Sequence, residues 1–133
     1  MPKYVLCFIV FLFVFACSDN PNIDGMWQLK TIQSEENENI QKIDSVFYSF
    51  MLKRNVFSYT ILKDVEKVNI YYGYIDNLSE NEILINMDEN FWTDDFRSNS
   101  DWTEKQRIFQ IHKLNSKNMT LFNDGKIYQF KKH

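Results

Sequence analysis

The sequence predicts an all-β domain, an eight-stranded antiparallel up-and-down barrel, behind a short apolar leader. Three observations carry that expectation. Apolar and polar residues alternate with a period of two through eight separate segments, as strands with one buried face require. The connections between most of these segments are short and rich in Asn, Asp, Ser or Gly. Outside the leader, no stretch carries a long apolar stripe at helical spacing.

The leader comes first. All twelve residues from Val5 to Ala16 are apolar, about the length of a secretory signal's hydrophobic segment and too short to cross roughly 30 Å of hydrocarbon as a helix. Lys3 and the amino terminus precede the run, as in a secretory signal. "VFAC" at residues 14–17 resembles the bacterial lipoprotein signal, in which cleavage exposes a cysteine that receives lipid. Residues 1–16 are therefore expected to be removed, leaving 117 of the 133 residues and moving the formal charge from -3 to -4, because Lys3 leaves with them. Cys7 leaves too, so no intramolecular disulfide is open to the mature chain. Cys17 is expected to be a lipid attachment point, and residues 17–23 a polar tether. The "SDN" after the cysteine partly resembles the segment found in surface-exposed lipoproteins. The expected location is the outer membrane, with the leaflet left open.

The remaining segment, 24–133, suits one domain. Its strands can be taken in order. In "GMWQLKTI" (25–32) Trp27, Leu29 and Thr31 share a face. In "VFYSF" (46–50) Val46, Tyr48 and Phe50 are in phase, and in "NVFSYTIL" (55–62) Phe57, Tyr59 and Ile61 oppose Val56, Ser58 and Thr60. "VNIYYGYI" (68–75) places Val68, Ile70, Tyr72 and Tyr74 together, and "EILINM" (82–87) does the same for Ile83, Ile85 and Met87. "RIFQIHKL" (107–114), "MTLF" (119–122) and "KIYQF" (126–130) complete the set. The last two are joined by "NDG", whose residues tolerate the left-handed backbone of a tight turn. Residues 88–106 form the one long connection, where Asp101 and Glu104 are placed to cap a short helical turn, with plain loop the equal alternative. Two packed sheets or one closed barrel would cover the apolar face; short connections and the removal of exposed edges favour the barrel.

"DGMWQL" (24–29) resembles the opening Gly-x-Trp of lipocalins. With the leader, the tyrosine-rich centre and the closing "KLNSKNMTLFNDGKIYQFKK", the chain is similar to small lipocalin-like lipoproteins of Bacteroidetes. The resemblance implies that Trp27 packs across the closed end of the barrel beneath a cation from the last strand. Lipocalins use an arginine there; after Arg107 this chain has only lysines, with Lys131 the nearest candidate.

Enzyme signatures are lacking. His112 and His133 are far apart, with His112 expected at the surface, and neither zinc spacing nor a phosphate loop nor a serine elbow occurs. Asp88, Glu89, Asp94 and Asp95 lack the spacing of a calcium loop. No basic stripe is available for a phosphate backbone, which excludes nucleic acid as a natural partner. The expected function is non-enzymatic: a membrane-anchored barrel, with no cofactor, that binds a small apolar ligand or an envelope component. Phe57, Tyr59, Tyr72 and Tyr74 from the strands and Trp92 and Trp102 from the long connection are the candidate binding residues. An eight-stranded barrel is close to the size that side chains alone fill, so a deep cavity is not assured. The alternative is a protein-interaction or inhibitory module that uses the aromatics of residues 91–102 as its docking patch.

Overall fold

The computed structural model describes residues 22–36 and 39–133. The leader, Cys17 and residues 18–21 of the tether lie outside the described residues. Nine strands follow in order: β1 (Gly25–Ser34), β2 (Ile40–Lys42), β3 (Val46–Met51), β4 (Val56–Leu62), β5 (Val68–Ser79), β6 (Glu82–Met87), β7 (Gln106–Leu114), β8 (Asn118–Asn123) and β9 (Lys126–Lys132). Successive strands pair antiparallel, and β1 also pairs with β9, from Trp27 opposite Lys132 to Ser34 opposite Lys126. The sheet is thus closed into an eight-stranded barrel with no free edge at its seam.

The ninth strand does not add a stave. β3 pairs with Gly25–Gln28 of β1, while β2 pairs with Thr31–Gln33 further along the same edge. The Ile43 N–H donates to the Lys30 carbonyl at 2.9 Å between them, so β2 and β3 are two pieces of one interrupted strand. The sequence expectation lacked β2, whose three side chains are all exposed and show no alternation.

The inward phase agrees with expectation in β3, β4 and β6. It differs in two places. In β1 a bulge between Leu29 and Thr31 shifts the phase, so Ile32 points inward in place of Thr31. An extra residue turns every later side chain over. In β5 the inward residues are Tyr71, Gly73 and Ile75. Tyr72 and Tyr74 face outward, 40% and 53% exposed, which corrects the expectation that they share the interior with Phe57 and Tyr59.

Gly73 explains that choice of phase. It stands opposite Phe57 on β4 and Met87 on β6, two large inward side chains, and leaves them the space a side chain of its own would take. A Cβ there would lie 2.7 Å from the Asn86 carbonyl oxygen and 3.0 Å from Met87 Cα. The turn between β8 and β9 also follows expectation, with Asp124 at φ 49° and Gly125 at φ 74°. Both values are positive, as a two-residue hairpin turn matched to strand twist requires.

At one end of the barrel, Trp27 is buried with its indole N–H donating to the Ile23 carbonyl at 2.8 Å. Lys132 Nζ stands 4.6 Å from the centre of the Trp27 ring and donates to the Asp24 carbonyl. The cation over the tryptophan is thus Lys132, one residue beyond the expected Lys131, because Lys131 faces the opposite side of β9. Gly25, at φ 109°, lets that lysine pass, since a Cβ would fall 2.4 Å from its Nζ.

Gly73→Ala should lower stability by about 1–3 kcal/mol, the usual cost of overpacking a filled core. A lower urea midpoint at unchanged slope would show it, whereas an unchanged midpoint would mean that β5 and β6 can part locally.

Candidate functional site

The barrel end opposite Trp27 is closed by residues 88–105, which leave the end of β6 and return as β7. Two short turns order this segment. The Asp88 carboxylate accepts from the Asn90 N–H at 2.8 Å to cap a 3-10 turn over Glu89–Phe91, and the Thr93 hydroxyl accepts from the Phe96 N–H at 3.2 Å to cap helix α1 (Asp94–Ser98). The expected cap at Asp101 and Glu104 does not form; the helical turn starts earlier, where Thr93 precedes two acidic residues.

Phe96 and Trp102 from this segment are driven into the barrel. Trp102 is 1% exposed; its ring stacks on Phe57 at 5.9 Å and lies edge-on to Tyr59 at 6.5 Å. The Trp102 indole N–H donates to the Tyr48 hydroxyl at 3.2 Å, which satisfies the polar atom of a ring that large. Phe96 meets Tyr59 at 5.2 Å and Tyr71 at 4.9 Å. Phe57, Tyr59 and Trp102 therefore pack on one another and occupy the space an apolar ligand was expected to take. Trp92 stays half-buried at the rim, with the Arg97 guanidinium 5.2 Å from its ring centre. Of the six candidate residues, three are core, two face outward and one lies on the lid.

Sequence reasoning missed the polar group that the lid covers. Arg107 is 8% exposed, with its guanidinium carbon 4.8 Å from the Trp102 ring centre and 4.7 Å from that of Phe109. Its Nε and Nη2 donate to Asn123 Oδ1 at 3.0 and 2.7 Å. Nη2 also donates to the Tyr128 hydroxyl, which donates to the Asp101 carboxylate. The other nitrogen, Nη1, is buried without a hydrogen bond, 3.6 Å from Asp101 Oδ1. The signal was present in "RIFQ", where Arg107 and Phe109 share the inward phase; a charge in that phase must be buried and partnered.

Burial alone would lower the arginine's pKa, but Tyr48, Asp101 and Tyr128 more than offset it, and the guanidinium is held charged. Burial, with Asp101 second, raises the hydroxyls of Tyr48, Tyr59 and Tyr128 well above the ordinary phenol range. Burial, then the hydrogen bond to Asp95, pushes Tyr71 up to about 12.

Three hollows ring this group, and Asp101 borders all of them. One of about 510 Å³ is lined by Asp101, Thr103, Glu104, Arg107, Asn123, Asp124 and Lys126. A second, of about 530 Å³, lies between the β2–β3 connection and the Ser98–Asp101 stretch. A third, of about 240 Å³, runs from Ile32 and Gln41 to Lys126. Lys126 Nζ is 3.9 Å from Asp101. Among the described residues no three His, Cys, Asp or Glu side chains gather as a metal site.

A closed eight-stranded barrel with a cation over a buried tryptophan at one end and a lidded, polar mouth at the other defines a lipocalin-type protein. The chain belongs to the lipocalin-like domain family, whose family model matches residues 11–133. Among solved structures it is similar to a lipocalin-like protein from Bacteroides uniformis ATCC 8492, at 25% identity and a TM-score of 0.73, over 84% of this chain and 98% of that one. It is also similar to an uncharacterized protein from Bacteroides eggerthii DSM 20697, at 25% identity and a TM-score of 0.72, over 84% of this chain and 100% of that one. No curated protein matches.

The four buried tyrosines yield a pH dependence. Their folded-state pKa values are raised above the unfolded value, so the stability they contribute is fully present below about pH 10 and is lost as pH climbs through the folded values. Unfolding free energy should fall steeply above about pH 10, and near pH 11 the native protein should show less phenolate absorbance than the urea-unfolded chain. Equal absorbance in the two states would mean that these hydroxyls reach water.

Proposed function

We propose that the protein is a non-enzymatic binding protein, held at the outer membrane by lipid on Cys17, that takes a small polar ligand at the mouth of its barrel. The observation that carries this reading is the convergence of three hollows on Asp101 above the buried Arg107, at the end of the barrel opposite Trp27. The filled interior argues against an apolar ligand enclosed by Phe57 and Tyr59. Around the hollow of about 510 Å³, Lys126 and Thr103 present donors beside the acceptors of Glu104 and Asp124. Such a mixed lining suits a ligand that carries both kinds of group, such as a sugar or an amino acid, better than a fatty chain. Arg107 serves this site from below by fixing Asn123, Tyr128 and Asp101 in place.

The interaction reading has less support at the lid. Its expected docking patch needs Trp102 and Phe96 accessible, and both are core. The Cys17 anchor is supported by the sequence pattern that precedes it.

The test is titration of the isotope-labelled domain, started at Ser18, with separate pools of amino acids and of mono- and disaccharides, followed by amide NMR. Shifts should cluster at residues 101–107 and 123–126 and weaken in Lys126→Met at unchanged thermal stability. Retention of a lipid in native mass spectrometry, with shifts at Phe57 and Tyr59 and none at the mouth, would overturn the polar-ligand reading. Fatty-acid labelling of the full-length chain should vanish in Cys17→Ser; labelling that persists would remove the anchor.

A further inference from the structure

From Phe47 to Met51 on β3, from Val56 to Leu62 on β4 and from Val68 to Tyr74 on β5, every outward side chain is uncharged. Outward positions of a barrel in water are where charge is cheapest, and these stretches of three adjacent strands forgo it, the next outward residue of β5 being Asp76. Met51, Leu62, Val68, Ile70, Tyr72 and Tyr74 are each at least 40% exposed. They sit side by side: Tyr74 is opposite Val56, Tyr72 opposite Ser58, Ile70 opposite Thr60 and Val68 opposite Leu62. Ser58 and Thr60, though outward, are buried between the larger side chains of β3 and β5. The face continues onto the lid through Phe91, whose ring meets Tyr72 at 5.3 Å. A contiguous apolar surface of this kind marks a contact that the isolated domain does not satisfy.

The occupant follows from where the chain enters the fold. Asp24 Oδ1 accepts from the Leu52 N–H at 2.9 Å, so the tether reaches the barrel at the turn joining β3 to β4, beside Met51. Five residues take the chain from Cys17 to Asn22, a reach of roughly 17 Å at full extension. At that same turn stand Lys53 and Arg54, both exposed and without an ion pair to any described residue. The uncharged face thus begins at the tethered end, next to two free cations. Its tyrosines present an apolar ring with a polar tip, the side-chain type that settles at a membrane–water boundary.

We propose that the barrel lies on its side on the bilayer, with the outward face of β3, β4 and β5 in the interfacial region and Lys53 and Arg54 among anionic headgroups. This orientation rests on the tether reading given above. It holds the mouth, with Asp101 and Lys126, beside the membrane and open to solvent.

The test separates the two readings. The chain beginning at Cys17, whose described residues close the barrel among themselves, is coupled through that cysteine to a maleimide-bearing lipid in nanodiscs of phosphatidylethanolamine and phosphatidylglycerol. This places the protein on a membrane whatever the cell does to Cys17. With doxyl-labelled lipid present, the methyl signals of Leu62, Val68 and Ile70 should lose most of their intensity, while that of Ile127, outward on β9, keeps its own. Ile70→Glu, an exposed position, should restore the Leu62 and Val68 signals. Equal broadening at Ile127, or no broadening anywhere, overturns the orientation. Loss of the face signals without doxyl lipid, accompanied by a doubled particle mass, overturns it in favour of a second copy. Failure of fatty-acid labelling alone removes the native anchor and leaves this measurement to judge the face.

Discussion

An eight-stranded barrel encloses a volume that side chains can fill by themselves, and in this chain they do. Tyr48 lies at the centre: its ring meets Phe57 and Tyr59 at 5.3 Å and Phe130 at 4.8 Å, and its hydroxyl receives the Trp102 indole. Close packing leaves no slack to redistribute. Gly73 must therefore be small where Phe57 is large, the lid must bring Trp102 inward to complete the packing, and whatever the protein binds must meet it outside the staves.

Arg107 is the one charged side chain among the described residues drawn into that interior. Burying a guanidinium is costly unless its donors are met, and a buried ion pair is weak evidence of net stability by itself. Here the Nε and Nη2 donors are spent on Asn123 and Tyr128 and the faces on the rings of Trp102, Phe109 and Tyr128, while Nη1, without a hydrogen bond, is balanced only by the charge of Asp101. The result ties the lid to β7, β8 and β9 through one group. Asp101 belongs to the lid, so the same carboxylate that balances Arg107 also fixes the border between the hollows around it. Trp27 repeats the arrangement in simpler form at the other end, with Lys132 above its ring and backbone carbonyls taking the remaining donors.

Most of the barrel was legible in the sequence because alternation reports burial directly. Val46, Tyr48 and Phe50 alternate with Phe47 and Ser49, and Ile83, Ile85 and Met87 with Leu84 and Asn86, so in each strand the more apolar set is the inward one. β5 misled for a physical reason. Its outward set, Val68, Ile70, Tyr72 and Tyr74, is more apolar than its inward set of Asn69, Tyr71, Gly73 and Ile75, so the usual rule selects the wrong side. The inward set is modest because neighbouring rings fill the space; the outward set has no such excuse within the domain. The bulge after Leu29, the solvent-exposed β2 and the true cap at Thr93 were illegible since each depends on pairing or loop geometry that leaves little trace in periodicity. The mouth was the least legible part, because Asp101, Arg107, Asn123 and Tyr128 come from three strands and a loop and meet only on closure.

The failure of alternation at β5 bears on function more than its success elsewhere. A sheet face that breaks the polar-out rule over one residue is ordinary; one that breaks it from Val68 to Tyr74 on β5, beside outward stretches of β3 and β4 that carry no charge, needs a cause outside the fold. The filled interior cannot supply that cause, and neither can the mouth: of the lid residues that meet the face, Phe91 extends its apolar surface beside Tyr72, and Asp88 accepts from the Tyr74 hydroxyl at its border without covering it. A neighbouring surface that takes tyrosine, valine and isoleucine side by side and tolerates cations at one border accounts for all of these features together. A lipid bilayer, brought within reach by the anchor proposed at Cys17, would be such a surface, and it would leave the polar mouth in water.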